Sequence, residues 1–437
     1  MIYIIFILLL FSFSCTTAKK NTILNNNLGD YYEAGRVKSL DYNYLPTIKS
    51  VVFGLEDWEF GYPIIFLNKK NRLHVSFDEL GTTFRRFYYR IKYCNARWEM
   101  MDLPFNEYAE GFEENVIEDY TSSVATRIPY VHYNFTIPNE NIQIKQSGNY
   151  LLMVYYVDNR GEEQVAFVRR FLVSEQSLPI EVNVQRAQDL DKRRTHHQIM
   201  IKLSPGALQN PLANLHITVL QNGRWDNALF DLKPRYIKEN EWIYDDNFQN
   251  IIPSMNEFRA INIKSIRYIT EWVQHIQCDK DCHVFLKPLQ IKDPSLYIQW
   301  PDVNGKFLIK SDDYFFSETQ GEYVYVHLCL PYTQERTDGN VYITGGFTSW
   351  STDTTYRMKY DASKKCYEKT LLLKQGYYDF QVGLLPFGKN SFDFSPFEGY
   401  VVEADNEYLV LAYYHDATTQ YDRLLSVEIK TTPKGLL

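Results

Sequence analysis

The chain lacks the sequence features that mark several large classes of protein. Its 46 basic and 54 acidic side chains give a formal charge of −8 without any block of like charge. This balance argues against a nucleic-acid-binding surface, which needs a basic stripe. A Gly-X-Ser-X-Gly elbow, a Walker loop, a His-Glu-X-X-His motif and a dinucleotide-binding fingerprint are all missing. We therefore expect no enzymatic activity, no cofactor, and no small-molecule ligand.

Glycine is also scarce, at 20 of 437 residues, whereas aromatic side chains make up 16% of the chain, with 35 Tyr and 27 Phe. Aromatic residues favour strands, and this composition is unlike that of a low-complexity segment. It predicts an all-β globular protein. The length is sufficient for two to four domains, and three is our expectation.

The first fourteen residues form a short leader without charged side chains. Residues 1–14 are almost wholly apolar and end at Ser14, directly before Cys15. The run is shorter than the about 20 residues of a membrane-spanning helix and matches the core of a secretory signal. A small residue before a cysteine suits a lipoprotein signal peptidase, so Cys15 is the predicted lipid-attachment site. The alternative is an ordinary signal cut nearby, with Cys15 discarded or free.

Alternating apolar and polar residues predict strands along most of the remaining chain. Segments 73–78, 87–93, 149–157 and 164–171 show this pattern or a continuous apolar run, and the last two flank a turn at 158–161. Strands at this spacing, without helix-period windows between them, are typical of immunoglobulin-like β-sandwiches.

Breaks in the strand pattern give the predicted domain boundaries. The signal peptide spans residues 1–14, a flexible tether 15–35, an N-terminal sandwich 36–174, a middle sandwich 175–292 and a C-terminal early-set sandwich 293–437. The fold class is therefore three consecutive immunoglobulin-like or early-set β-sandwiches after a signal peptide and short tether.

Five cysteines follow Cys15, so at least one of them stays unpaired: Cys94, Cys278, Cys282, Cys329 and Cys366. Cys278 and Cys282 flank a short loop and are the candidate disulfide. Free buried thiols, or a zinc site that recruits His283, are the alternatives. We predict no metal ligands, and the adjacent His196 and His197 would face opposite sides of a strand.

One C-terminal stretch resembles the glycogen-binding type of carbohydrate module. The likeness rests on Gly345-Gly346-Phe347-Thr348-Ser349-Trp350 after a strand, then Met358, a strand at 366–373 and an aromatic-rich segment at 376–380. The resemblance implies an early-set immunoglobulin-like fold for this domain. Trp350 is the candidate carbohydrate platform, although it can equally serve as a core or rim residue of the sandwich.

A second resemblance extends from about residue 36 to about residue 429. Segments 73–80, 89–98, 107–112, 146–150, 256–259 and 373–379 resemble, in order, the plug protein family of the Bacteroidetes type IX secretion system. The resemblance implies a protein that lies at the periplasmic mouth of the giant outer-membrane β-barrel translocon and closes its pore when no substrate is exported. No catalytic residues come with the resemblance.

These observations together predict a lipid-anchored plug. The residues after Cys15 contain no acidic export signal of the kind that surface lipoproteins of such bacteria carry. We therefore expect a protein anchored in the outer membrane, facing the periplasm, whose partner is the barrel. The alternative is an outer-membrane-associated glycan-binding lipoprotein that uses the C-terminal domain. A periplasmic hydrolase is a third alternative, for which the sequence offers no motif.

Overall fold

Strand pairing, mostly antiparallel, accounts for nearly all of the secondary structure. We describe residues 37–67 and 69–433 of a computed structural model. The signal peptide 1–14, Cys15 and the tether 15–35 lie outside these residues. Each α-helix in the described part has four residues, and none is long and apolar enough to cross a membrane. The prediction of an all-β, multi-domain sandwich protein is confirmed.

The first sandwich contains two main sheets and one short helix, α1 (Phe105–Tyr108). Its strands are β1 (Tyr42–Asn43), β2 (Ile48–Leu55), β3 (Ile64–Phe66), β4 (Leu73–Leu80), β5 (Tyr88–Cys94), β6 (Ala109–Gly111), β7 (Asn115–Val116), β8 (Asp119–Ser122), β9 (Tyr130–Ile137), β10 (Ile142–Ile144), β11 (Gly148–Val157) and β12 (Glu163–Ser174). One sheet has the order β1-β12-β11-β5-β7, with β3 beside β12, and the other has the order β2-β4-β9-β8. Strands β6 and β10 form a separate pair.

Aromatic contacts join the two sheets of the first sandwich. Phe77 on β4 lies 5.0 Å from Phe167 on β12 and stacks on Tyr133 of β9 at 4.9 Å, measured between ring centroids. Strand β11 pairs with β12 and β5, and its consecutive residues from Gly148 to Tyr155 are buried, so both of its faces are covered. This explains its nearly continuous apolar sequence.

The middle sandwich begins with seven strands and the helix α2 (Pro211–Asn214). The strands are β13 (Ile180–Arg186), β14 (His196–Leu203), β15 (Leu215–Gln221), β16 (Arg224–Leu232), β17 (Tyr236–Ile237), β18 (Trp242–Tyr244) and β19 (Ile251–Pro253). Strands β13-β14-β18-β17 form one sheet, with β19 beside β14. Strands β15 and β16 form a second sheet that needs further partners to cover the core.

The third sandwich follows, with the helix α3 (Ser317–Gln320) and short 3₁₀ segments at Gly346–Thr348 and Thr354–Tyr356. Its strands are β20 (Arg259–Asn262), β21 (Val273–Cys278), β22 (Cys282–Leu286), β23 (Phe307–Ile309), β24 (Tyr323–Pro331), β25 (Gly339–Thr344), β26 (Lys359–Asp361), β27 (Cys366–Lys374) and β28 (Gly376–Pro386). One sheet has the order β21-β22-β24-β27-β26. In the other, β28 lies between β20 and β23 and also pairs with β25.

The last two strands of the chain return to the middle sandwich. Strands β29 (Glu407–Asp416) and β30 (Tyr421–Thr431) complete the order β16-β15-β29-β30. Tyr408, Val410 and Leu425 consequently lie in the middle core. The chain therefore leaves the middle sandwich, builds the third one and comes back.

This topology corrects the predicted boundary between residues 292 and 293. Strands β20, β21 and β22 lie within the predicted middle domain (175–292), but β20 pairs with β28 and β22 pairs with β24 in the third sandwich. The final hairpin was assigned to the C-terminal domain (293–437), but it pairs with β15. Alternation along a strand indicates that the strand exists, whereas its partner almost 200 residues away leaves no local signal.

The return of the hairpin can be tested with two alanine variants on β30. Leu425 is 2% exposed in the middle core, whereas Ile429 is 38% exposed on the same strand. We expect Leu425→Ala to lower the free energy of unfolding by about 2–5 kcal/mol through the cavity that it leaves. Ile429→Ala should cost less than about 1 kcal/mol. Equal losses in chemical unfolding of the two variants would contradict the assignment of β30 to the middle core.

Candidate functional site

A buried ion pair links the first sandwich to the third. The carboxylate of Asp78 on β4 accepts hydrogen bonds from Lys374 Nζ and from the Tyr323 hydroxyl, both at 2.7 Å from Oδ2. Its other oxygen, Oδ1, lies 2.6 Å from His132 Nδ1 on the neighbouring strand β9. Asp78 and Lys374 are almost completely buried. Burial lowers the pKa of Lys374, and the adjacent carboxylate opposes this effect.

The same interface contains a second set of contacts around α3. Tyr130 on β9 donates its hydroxyl proton toward the backbone carbonyls of Glu318 and Gly321, at 3.1 and 2.9 Å. Arg127 forms a 2.9 Å ion pair with the buried carboxylate of Glu322. Polar groups buried in this way are costly to separate because each one would lose its partner.

One carboxylate joins all three sandwiches. Glu407 begins the returning hairpin, and its Oε2 accepts hydrogen bonds from Tyr62 of the first sandwich and Lys306 of the third, both at 2.6 Å. The Lys306 ammonium also lies 4.4 Å from the centroid of the Tyr62 ring. Burial, together with the charge of Glu407, raises the pKa of Tyr62 well above its ordinary value. The phenol therefore stays protonated and donates.

The returning hairpin is also bonded to the first sandwich. Tyr413 donates to Asn149 Oδ1 on β11 at 2.8 Å, and both residues are buried. Arg423 on β30 forms a bidentate ion pair with Glu175, with both N···O distances at 2.8 Å. Bidentate geometry of this kind fixes orientation as well as distance. The hairpin thus fills the junction between the first and middle sandwiches.

A cavity of about 500 Å³ lies where the three sandwiches meet. Four of the seven tryptophans of the chain line it: Trp58, Trp98, Trp225 and Trp350. The indole Nε1 of Trp98 is buried without a hydrogen-bond partner. Tyr62, Lys306 and Lys374 also line this space, so contacts that hold the sandwiches together form part of its wall, and the space is partly open to solvent.

Trp350, the candidate carbohydrate platform, lies in this junction with one ring face covered. The guanidinium of Arg224, from the middle sandwich, lies 4.9 Å from the ring centroid, and Phe258 contacts the ring edge-on at 6.0 Å. A sugar that stacks on an aromatic ring needs a free face. These contacts cover one face of the ring only, so the carbohydrate-binding role and the structural role of Trp350 both stay predictions.

Two disulfides lie in the third sandwich. Cys278 and Cys282, the pair singled out from the sequence, are bonded across the β21–β22 turn, with Cα atoms 4.0 Å apart. Cys329 and Cys366 join β24 to β27 with Cα atoms 6.0 Å apart, a pairing that the sequence did not single out. Cys94 is free, and burial raises the pKa of its thiol to about 12, so it stays protonated. Cys15 lies outside the described residues.

The described residues contain no group of three or more His, Cys, Asp or Glu side chains arranged to hold a metal ion. His197 instead contacts the Tyr408 hydroxyl through Nδ1 and the Val402 carbonyl through Nε2, at 2.7 and 2.8 Å. Burial lowers the pKa of His197 to about 4, so this imidazole is neutral and structural. The adjacent His196 contacts Thr195.

Three carboxyl groups in the third sandwich, those of Glu257, Asp302 and Asp379, have raised pKa values. Burial, with the neighbouring charge of Asp302, raises the pKa of Glu257 to about 8 and that of Asp379 to about 7. Burial also raises the pKa of Asp302 itself. Backbone N–H groups of Val303 and Gly305 donate to Asp379, but these bonds do not offset its desolvation.

One edge of the third sandwich exposes a group of large apolar side chains, which we call the aromatic edge: Tyr268, Ile269, Phe315 and Phe316. Phe315 is 90% exposed and Phe316 61%, and the two rings are in edge-on contact. The Tyr268 hydroxyl donates to Asp312 at 3.3 Å, which brings its segment against the one that carries the phenylalanines. Contiguous exposed apolar side chains mark candidate interaction surfaces.

The ion pair between the first and third sandwiches can be tested by removing its cation. Lys374→Met leaves the Asp78 carboxylate buried without its counter-charge, and we expect a loss of about 3–5 kcal/mol in the free energy of unfolding. Lys364 pairs with Glu368 on the surface of the same sandwich, so Lys364→Met should cost about 1 kcal/mol or less. If urea unfolding gives similar losses for both variants, the buried pair does not hold the interface.

The raised carboxyl pKa values predict how stability depends on pH. Asp379 and Glu257 bind protons in the folded state at a pH where the unfolded chain has released them, so their contribution to stability is lost as the pH rises toward about 7 to 8. We expect the melting temperature to fall between pH 5 and pH 8, and Asp379→Asn to reduce this slope. The exposed Asp279→Asn is the matched control, and an unchanged slope in Asp379→Asn would contradict the assignment.

Comparison with known proteins identifies the family. Residues 48–175 match the family described as Type 9 secretion system plug protein 1st domain. No curated protein matches the chain. The crystal structure of a hypothetical protein from Parabacteroides merdae is similar, with a TM-score of 0.87 and 31% sequence identity, covering 91% of this chain and 100% of that one. The chain therefore belongs to the same family as the Parabacteroides merdae protein, and its first sandwich matches that of the type 9 secretion system plug proteins.

Proposed function

We propose that the protein is the plug of the type IX secretion translocon. It binds the periplasmic mouth of the giant outer-membrane β-barrel and closes the pore when no substrate is exported. The match of residues 48–175 to the first domain of plug proteins is the observation that carries this proposal. A role in closing a pore needs no catalytic group, so the activity of the protein lies in its shape and its contacts.

The way in which the sandwiches are joined supports this role. Residues from Lys38 onward form a single compact unit, and buried polar contacts around Asp78 and Glu407 cross its internal interfaces. A protein that blocks a channel must keep the arrangement of its domains, because a change in that arrangement would open a path for solutes. Interfaces that contain buried, fully paired charges resist separation, because opening them leaves each charge without its partner.

A lipid on Cys15 would hold this body near its partner, in the outer membrane and facing the periplasm. The segment from Cys15 to Arg36 has 22 residues, which reach at most about 75 Å when fully extended. Such a tether raises the effective concentration of the body at the membrane, so a modest affinity for the barrel is sufficient for frequent occupancy. A modest affinity also permits release during export.

The aromatic edge is the surface that we assign to the contact with the barrel. Its phenylalanines are the most exposed aromatic pair in the described part of the chain, and the solvent-accessible carboxylates of Asp312 and Glu318 lie close to them in sequence. A small apolar patch with a polar rim is typical of reversible protein interfaces.

The proposal predicts a specific loss of the complex on mutation of this edge. Replacing Phe315 and Phe316 together by Ser removes the apolar patch without touching a core. We expect recovery of the barrel in native pull-downs to fall by at least about tenfold, which corresponds to about 1.4 kcal/mol, and the outer membrane to become permeable to large hydrophilic solutes.

The matched control replaces two other exposed phenylalanines, Phe248 and Phe387, by Ser. This double variant should keep both the pull-down and the permeability barrier. If both double variants still recover the barrel, the aromatic edge is not the contact. If the unaltered protein recovers no barrel from either resting or secreting cells, the plug role itself is excluded.

A further inference from the structure

Two histidines lie side by side on the outer face of the sheet β21-β22-β24-β27-β26. His283 on β22 and His327 on β24 belong to neighbouring parallel strands and are diagonal in register, since His283 pairs with Tyr325 and Phe285 pairs with His327. The Nδ1 atom of His283 lies 2.9 Å from the Nε2 atom of His327. Both side chains are half-buried, so solvent reaches them.

Neighbouring groups fix the orientation of both rings. His283 stacks on Tyr325 with ring centroids 5.1 Å apart, and His327 stacks on Phe285 at 4.3 Å. The Nδ1 atom of His327 lies 3.0 Å from the Thr370 hydroxyl on β27. When that hydroxyl accepts the Nδ1 proton, Nε2 keeps its lone pair directed toward His283. Metal-binding histidines use a second hydrogen bond of this kind to set their tautomer.

Burial and neighbouring charged groups act on the pKa of His327. Burial lowers the pKa of His327, and the imidazoles of His283 and His275 contribute in the same direction, whereas Glu368 on β27 opposes them. Lys364 and Lys359 lie next to that carboxylate, the first in an ion pair with it and the second opposite it in the strand register. A neutral imidazole is the form that ligates metals.

The spacing of the two nitrogens is compatible with one shared metal ion. Two nitrogens at about 2.0–2.1 Å from a metal ion are about 2.9 Å apart when the angle at the metal is about 90°, and about 3.3 Å apart at a tetrahedral angle. The observed 2.9 Å is the length of the hydrogen bond between the two rings, and it is close enough for both nitrogens to reach one metal ion at about a right angle. Right-angled nitrogen ligands are typical of Cu²⁺ and Ni²⁺, whereas structural Zn²⁺ sites are tetrahedral.

We propose that His283 and His327 form a two-nitrogen site for a divalent transition-metal ion of the Ni²⁺ or Cu²⁺ type. Water completes the coordination, and the proton between the two imidazoles moves through solvent to Nε2 of His283 as the metal ion takes its place on Nδ1. This site is separate from the proposed plug role. The sequence offers His283 as an alternative zinc ligand beside Cys278 and Cys282, but those sulfurs are bonded to each other and its partner is His327.

A third imidazole nearby provides a matched control. His275 on β21 stacks against the other side of Phe285, with ring centroids 4.2 Å apart, so a phenyl ring separates it from His327. His275→Asn therefore removes an exposed histidine from the same sheet face and leaves the proposed site intact.

Calorimetric titration of the full-length protein without a polyhistidine tag, with Ni²⁺ at pH 7.5, tests the site. We expect one saturable site in the unaltered protein and in His275→Asn, and at least a tenfold weaker affinity in His283→Asn and His327→Asn. Thr370→Val should weaken binding about tenfold by removing the hydroxyl that orients His327.

Thermal unfolding separates a loss of metal binding from a loss of folding. Without metal, His327→Asn should melt within a few degrees of the unaltered protein, and only the unaltered protein and His275→Asn should gain stability on addition of Ni²⁺. The proposal is overturned if the unaltered protein has no saturable Ni²⁺ site, or if His327→Asn and His275→Asn bind Ni²⁺ equally well.

Discussion

The Asp78 carboxylate is the point on which the arrangement of the first and third sandwiches depends. Its two oxygens accept from Lys374 and Tyr323 of the third sandwich and contact His132 of the first, in a place that water barely reaches. A buried charge is costly unless all its partners are in position, so the interface has one well-defined geometry. Whatever binds the protein therefore meets three sandwiches as one body.

The returning hairpin also fixes the three sandwiches relative to one another. Strands β29 and β30 complete the core of the middle sandwich, while Tyr413 and Arg423 bond to the first sandwich and Glu407 holds Lys306 of the third. The middle sandwich thus cannot be completed before the third one has been synthesised. Contacts between such distant parts of a chain make folding slow and the finished unit cooperative.

Local sequence predicted the strands of this protein but only part of their pairing. The alternating segment 73–78 and the apolar run 149–157 correspond to β4 and β11, and the all-β class followed from such segments. In the sequence, Lys374 is an ordinary charged residue after Leu373. Its structural role comes from its ion pair with Asp78, which lies 296 positions earlier in the chain. His327 is likewise unremarkable in sequence, because the partner that gives it meaning is on another strand. The aromatic edge, too, could not be inferred, since exposure is decided by tertiary packing.

The central claim is that this rigid body closes the pore of a β-barrel, and electrical conductance measures that closure most directly. The barrel, purified without the protein and inserted in a planar lipid bilayer, should show a large conductance. Addition of the purified protein to the periplasmic side should reduce that conductance toward the baseline, reversibly and in proportion to occupancy. An open-barrel conductance that stays unchanged at saturating protein would contradict the account.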